Sequence, residues 1–167
     1  MINIVLFQPE IPQNTGNIMR TCVAANMRLH LIEPLGFKID QKSLKRSGMD
    51  YIEALDLEVH RSWETFTSKY QGPYHIVSRY GQKTYSDFTF NNDQDTFLIF
   101  GNESTGMPKA ILQSHLDYCM RIPMTAKARS LNLANCVALV SYEVLRQLEF
   151  PNLSKEEVIK GKDWINQ

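Results

Sequence analysis

The sequence predicts an α/β domain with a mostly parallel sheet and helices on both faces. Short runs rich in β-branched and aromatic residues alternate with segments of helical periodicity along the chain, the pattern of strand–helix–strand units. Several of the runs, such as Phe97-Leu98-Ile99-Phe100, are apolar throughout, as strands covered on both sides must be. No internal repeat, low-complexity tract or Gly/Ser linker interrupts them, so residues 1–167 are expected to form one domain.

Ile2 to Phe7 is the first strand, ended by Gln8-Pro9. Gly16 to Asn26 is the first helix, with Asn14 or Thr15 as its cap and Ile18, Cys22 and Ala25 on its inward face. Leu29 to Glu33 is a strand, and a polar helix near Gln41 to Ser47 follows it. Leu57 to His60 is extended, Trp63 to Tyr70 helical, and Tyr74 to Ser78 and Thr96 to Phe100 are buried strands. Pro108 to His115 is a short helix with proline in its first turn, where a missing N–H costs nothing. Tyr118 to Ile122 is another strand. Asn132 to Leu148 is the longest helical pattern, with Leu133, Val137, Val140, Val144 and Leu148 on one face. Ser154 followed by Glu157 has the spacing of a capping box and is expected to open a last short helix.

Composition narrows the functional classes. A hydrophobic fraction of 43% with 22% charged residues is that of a folded chain rather than a disordered one. No apolar stretch approaches the roughly 20 residues of a membrane helix, and the amino end has neither a basic flank nor a small-residue cleavage site. A cytoplasmic protein without membrane contact is expected. Cys22, Cys119 and Cys136 form no Cys-x-x-Cys pair and are read as buried small hydrophobes. His30, His60, His75 and His115 are read as structural, and no metal is expected. The 18 Lys and Arg balance the 18 Asp and Glu, which argues against a generic nucleic-acid coat but leaves room for local patches. Lys38, Lys42, Lys45 and Arg46 form one basic cluster, and Lys127 and Arg129 another.

In sheets of this class ligands bind beyond the carboxyl ends of the strands, so the segments following strands carry the functional question. After the first strand comes Asn14-Thr15-Gly16-Asn17-Ile18-Met19-Arg20, which places Arg20 off the inward helix face. After the most apolar strand comes Gly101-Asn102-Glu103-Ser104-Thr105-Gly106, two glycines in a strand-to-helix turn. It is no phosphate loop, because Met107-Pro108 stands where Lys-Ser/Thr is required, and no Gly-x-Gly-x-x-Gly occurs. The third is Ile122-Pro123-Met124, a basic loop to Arg129, and Ser130-Leu131-Asn132-Leu133-Ala134-Asn135 at the start of the long helix, with free N–H groups and side-chain hydroxyl and amide partners.

Taken in order, these segments resemble the three motifs of the SpoU branch of the SPOUT methyltransferases. The likeness runs along essentially the whole chain, and within that branch it is greatest to the minimal enzymes that methylate the ribose of the tRNA wobble nucleotide. It implies S-adenosylmethionine as cofactor, with S-adenosylhomocysteine as product. It implies a deep C-terminal trefoil knot formed where the third-motif segment threads through the second-motif loop, and a homodimer whose site is completed across the subunit boundary. The substrate implied is the anticodon loop of tRNA, at position 34, a cytidine or modified uridine.

By the same resemblance Ser78, Arg79, Gly101, Asn102, Glu103, Ile122, Pro123, Met124, Ser130, Leu131 and Ala134 hold the cofactor, with Ile122 and Leu131 flanking its adenine. Asn14, Arg20, Glu103, Ser130 and Asn132 are the catalytic set, Glu103 buttressing its loop or orienting Arg20. Guanidinium is a poor base, so Arg20 is assigned to binding phosphate and stabilising the developing alkoxide. Arg20, Arg46, Lys127 and Arg129 are assigned to the RNA, and Tyr51 and Tyr142 are aromatic candidates for stacking or for the dimer interface. The same chemistry at another tRNA or rRNA position, a knotted RNA-binding protein without catalysis, and a small-molecule nucleotide enzyme are the rival readings.

Overall fold

Strand Ile2–Phe7 (β1) lies inside a parallel sheet in a computed structural model that describes residues 1–39 and 53–166. Its neighbours are Arg28–Ile32 (β2) on one side and Thr96–Phe100 (β6) on the other. Leu57–His60 (β3) closes one edge. Beyond β6 lie Tyr74–Val77 (β4), Cys119–Arg121 (β7) and the short Lys83–Thr84 (β5), giving the order β3-β2-β1-β6-β4-β7-β5 among the described residues. Every pairing is parallel, so the carboxyl ends of all these strands share one edge of the molecule.

The pleat explains the two layers. Ile4 and Leu6 of β1, Leu29 and Leu31 of β2, and Leu98 and Phe100 of β6 point to one face. There they meet Ile18 and Cys22 of helix Pro12–Ala24 (α1) and Val137, Val140 and Val144 of helix Leu133–Gln147 (α4). Val5, Ile32, Phe97 and Ile99 point to the other, against Phe66 of helix Trp63–Lys69 (α2) and Leu112 of helix Lys109–Ser114 (α3). Each such Leu, Ile or Phe stabilises the fold by roughly 1.5–3 kcal/mol, which makes both layers obligatory.

Most expected elements are present with ends shifted by a residue or two. Larger differences have identifiable causes. Helix α1 begins at Pro12 rather than Gly16, so Asn14 and Thr15 lie buried inside it instead of capping it. Ser154 and Glu157 open no helix: Ser154 Oγ donates to the Glu156 carbonyl 2.8 Å away, and Glu157 Oε1 accepts the N–H groups of Ile159 and Lys160 at 2.8 Å, so both side chains fold a local turn. A single 3-10 turn, Trp164–Asn166, follows. Strand β5 and the 3-10 turn Tyr85–Asp87 behind it, closed by a Thr84/Asp87 capping box, escaped the sequence reading because two residues carry no periodicity. The helix expected near Gln41 to Ser47, with Lys42, Lys45, Arg46 and Tyr51, lies outside the described residues.

Candidate active site at the carboxyl ends of the strands

The three motifs meet through one chain of hydrogen bonds. Asn132 is the N-cap of α4, its Oδ1 accepting the N–H groups of Ala134 at 2.9 Å and Asn135 at 3.3 Å. Its Nδ2 donates to Asn14 Oδ1 over 2.9 Å. Asn14 Nδ2 in turn donates to Glu103 Oε1 over 2.9 Å. The Glu103 carboxylate then accepts the backbone N–H of Glu10 at 2.9 Å and of Ile11 at 3.3 Å. Those are the amides at the start of α1, where the N-cap residue Ile11 has no side-chain acceptor of its own. Glu103 therefore caps a helix from more than ninety residues away, and the first motif is positioned by the second.

The reverse link is also made. Glu10 accepts the Ser104 N–H at 3.0 Å and the Ser104 hydroxyl at 2.7 Å, so two carboxylates clasp the α1 entry and the 101–106 loop reciprocally. Within that loop Asn102 Oδ1 accepts the Thr105 N–H at 2.8 Å, the Thr105 hydroxyl at 2.9 Å and the Gly106 N–H at 3.0 Å. Gly106 has φ +72°, where glycine carries no steric penalty. Gly101 is required by crowding: a Cβ there would sit 2.3 Å from the Gly106 carbonyl carbon and 2.4 Å from Met107 N. The loop folds back on its own backbone at Gly101.

On the neighbouring strand end, Ser78 N donates to the Met120 carbonyl over 2.9 Å and Ser78 Oγ accepts the Tyr80 N–H at 3.2 Å. Gly81 closes the turn through its N–H to the Ser78 carbonyl at 3.1 Å, pressed so closely on β7 that a Cβ would lie 2.4 Å from the Met120 carbonyl carbon. Arg121 Nη1 donates to the Arg79 carbonyl at 3.1 Å, fixing the same turn from the other side.

Between these segments lies a cleft of about 690 Å³. Of the residues singled out from the sequence it brings together Asn14, Ser78, Arg79, Gly101, Asn102, Glu103, Arg129, Ser130, Leu131 and Asn132. A nook of about 100 Å³ adjoins it, walled by Val77, Ile122, Met124, Leu131 and Cys136 and sharing Ser78, Arg79 and Ser130 with the cleft. Pro123, Ala134 and Lys127 do not line either space, and Ala134 is buried. Arg20 also lies outside the cleft of its own chain. Because α1 starts at Pro12, Arg20 is in its third turn, about 12 Å along the axis from the first residue, exposed and farther from the strand ends than the sequence suggested.

Residues missed by the sequence reading include Tyr80, Ser104, Thr105 and Cys136, all on the cleft, and Glu10, the partner of Ser104. Ser104 and Thr105 sat in unassigned places of the second motif. Cys136 stands one helical turn after Asn132, the available signal for it. Cys22 and Cys119 are buried as expected, whereas Cys136 is half-buried, and burial pushes its thiol pKa up.

A parallel sheet whose strand-end turns grip a cleft at its carboxyl edge defines the broad class of α/β proteins that bind ligands there. Within it, the chain belongs to the SpoU rRNA Methylase family, whose model matches residues 1–142. A Bacillus subtilis protein provisionally named tRNA (cytidine(34)-2′-O)-methyltransferase is 46% identical over 154 residues, covering 91% of this chain and 96% of its own. A solved structure described as giving insights into the 2-OH methylation of C/U34 on tRNA is 40% identical with a TM-score of 0.79, over 88% of this chain and 95% of that one. The SpoU methyltransferase AviRb from Streptomyces viridochromogenes, solved in complex with AdoMet, is 28% identical with a TM-score of 0.68, over 87% of this chain and 57% of its own. Among the described residues no helix is long and apolar enough to cross a membrane.

Proposed function

We propose that this protein transfers the methyl group of S-adenosylmethionine to the ribose 2′-hydroxyl of the wobble nucleotide, position 34, of tRNA, acting as a cytoplasmic homodimer of single-domain chains. One observation carries the reading: the three family motifs, far apart in sequence, are joined through Asn14, Glu103 and Asn132 around one cleft. The names of the relatives supply the substrate.

The residues present suit the cofactor. A cleft of about 690 Å³ falls in the range of small-molecule sites. Its apolar nook suits a flat base, with Ile122 and Leu131 flanking the adenine and Met124 and Cys136 completing the walls. Gly101, Asn102, Ser78, Arg79 and Ser130 hold the ribose and the methionine tail, a role that their position on the cleft supports, whereas Pro123 and Ala134 line neither space. When bound, the cofactor supplies an electrophilic methyl on a sulfonium whose positive charge is lost in the transfer. The protein's share is alignment, which accounts for a large part of such rates.

A trefoil knot fits the strand order. Strand β7 lies between β4 and β5, so the connection between those two strands passes over β7, where Gly81 packs against the Met120 backbone, and this supports the reading. Arg20 acts across the two-fold axis: exposed and outside the cleft of its own chain, it serves the cleft of a second copy. There its guanidinium binds phosphate and stabilises the developing alkoxide. Glu103, assigned above to a buttress or to orienting Arg20, serves as the buttress. Arg129, Lys127 and Arg46 position the anticodon strand through its phosphates, which carries no sequence information.

Incubation with unmodified tRNA and methyl-labelled donor, followed by mapping, is expected to place label on the 2′-oxygen of nucleotide 34. Label at another nucleotide overturns the substrate. Mixing an Arg20→Ala chain with a Leu131→Glu chain is expected to restore activity that neither has alone, and failure to do so places Arg20 in its own subunit's site.

A further inference from the structure

A second cleft, about 760 Å³, opens on the far side of the 101–106 loop. Phe7, Met107, Leu112 and Leu116 make its walls chiefly apolar, and Gln8, Lys109 and Gln113 add polar groups. Tyr80, Asn102, Thr105, Gly106 and Met107 line both this cleft and the one described above, so the two are separated by the thickness of one loop.

Tyr80 stands at that boundary with 70% of its surface exposed. Its backbone is nevertheless fixed, by the Ser78 hydroxyl and by Gly81 packed against β7. A rigid turn that holds an aromatic ring in water gains nothing for stability. It does present a stacking platform on a backbone that is already ordered. The Arg79 guanidinium lies 5.8 Å from the ring centre, adding positive charge beside it. Gln8 at the cleft edge has φ 51°, a conformation that residues other than glycine seldom adopt and that gathers at ligand sites.

We infer that this second cleft receives an unstacked base of the RNA substrate, with Tyr80 as the side chain on which it stacks. The inference rests on the methyl-transfer reading above. In-line transfer brings acceptor oxygen and donor carbon to about 3–3.5 Å, so the acceptor ribose must lie at the rim of the donor cleft. Its base then extends away from the donor, and the neighbouring space that shares a wall with that cleft is this one. The size suits a nucleoside. Every base has a π-face for Tyr80, and the amides of Gln8 and Gln113 can each donate to and accept from a base edge. Lys109, on the same lining, supplies a cation for phosphate.

The test compares wild type, Tyr80→Ala, Tyr80→Phe and Leu116→Glu, the last altering a residue that lines only the second cleft. Binding of a labelled anticodon stem-loop is followed by anisotropy, KM and kcat for tRNA by methylation, and S-adenosylmethionine affinity by calorimetry. Tyr80→Ala is expected to weaken stem-loop binding and raise KM by about 5- to 150-fold, the loss of one base–aromatic stack. Tyr80→Phe is expected to stay near wild type, and Leu116→Glu, which spares the donor cleft, to weaken RNA binding with cofactor affinity unchanged. Unchanged stem-loop binding in Tyr80→Ala and Leu116→Glu, or a loss confined to cofactor affinity, overturns the inference. A wild type that binds the stem-loop but never methylates it overturns the methyl-transfer reading instead, and the anisotropy series still decides the role of Tyr80.

Discussion

At the carboxyl ends of the strands, Asn14, Glu103 and Asn132 form a hydrogen-bonded chain that borders an open cleft. Towards the β3 side of the sheet, Asn3, His30 and His60 form a second chain, closed beneath α2, with Glu58 Oε1 3.8 Å from His60 Nδ1. Asn3 Nδ2 donates to the carbonyls of Met1 and Thr96, which leaves its Oδ1 to accept from His30 Nε2 at 3.1 Å. His30 Nδ1 must then accept, and His60 Nε2 donates to it across 3.0 Å. Glu58 is held by Lys69 Nζ and Tyr70 Oη, each at 2.6 Å. The rings of Phe66 and Tyr70 cover His30 at 5.3 and 4.7 Å.

The buried chain has the residue types usually associated with catalysis, and His30, Glu58 and His60 bring ligand atoms within 4.8 Å of one another. Yet His30 bonds to Asn3 and His60, and Glu58 to Lys69 and Tyr70. The open chain consists of two amides and a carboxylate, and these organise the cleft. Accessibility and the joining of distant motifs, rather than the presence of histidine, distinguish the open network from the buried one.

That contrast can be broken at either end. The largest effect is expected at Arg20: Arg20→Ala lowers kcat/KM for tRNA by about 10²–10³-fold, the cost of one charge-stabilising donor, with S-adenosylmethionine affinity retained in calorimetry. A variant of normal rate removes Arg20 from the mechanism. Next, Gly101→Val is expected to abolish cofactor binding in the same assay. The cause is the loop's own backbone, since the added side chain meets Gly106 and Met107 before any ligand, and retained affinity would separate the loop from the donor site.

Glu103→Ala removes the acceptor for two helix-start amides and for Asn14. A loss of about 1–2 kcal/mol in chemical denaturation is expected, with weakened cofactor binding, while Glu103→Gln loses less of both. Unaltered stability would deny the remote cap.

The closed network should register in acid stability instead. Burial pushes His30 down to about 4, helped by its neighbour His60, and burial likewise lowers His60 and takes His75 to about 4. The folded state therefore resists protonation that the unfolded chain accepts near 6.5, so stability is full above that pH and falls as pH drops towards 4. Glu58 adds a lower window. Its burial favours the neutral form, but the bonds from Lys69 and Tyr70 prevail and bring it to about 2, so its contribution is present above 4.5 and lost between there and 2. Melting temperatures measured from pH 7 to pH 4 should fall, and a flat profile would contradict the histidine assignment.

Strands such as β1, β3 and β6 were legible because they are bounded apolar or alternating runs, and the long α4 was legible through its repeating valines. The start of α1 was not, because the group that caps it belongs to Glu103 and no local pattern announces a cap supplied from another strand end. Strand β5 is held by pairing with β7, a non-local fact. The motifs named most of the cleft residues but not the contacts that join them: Asn14 bonds to Asn132 and Glu103, and Asn132 caps α4. Tyr80 escaped because an exposed aromatic in a turn looks like any other surface residue until the cleft beside it is seen.

The most direct measurement is a crystal structure of the protein with S-adenosylhomocysteine. The account expects the ligand between the 78–80 turn, the 101–106 loop and the 129–132 segment, its adenine against Ile122 and Leu131, with Arg20 of a second copy beside the sulfur. Ligand density at any other place on the chain would contradict it.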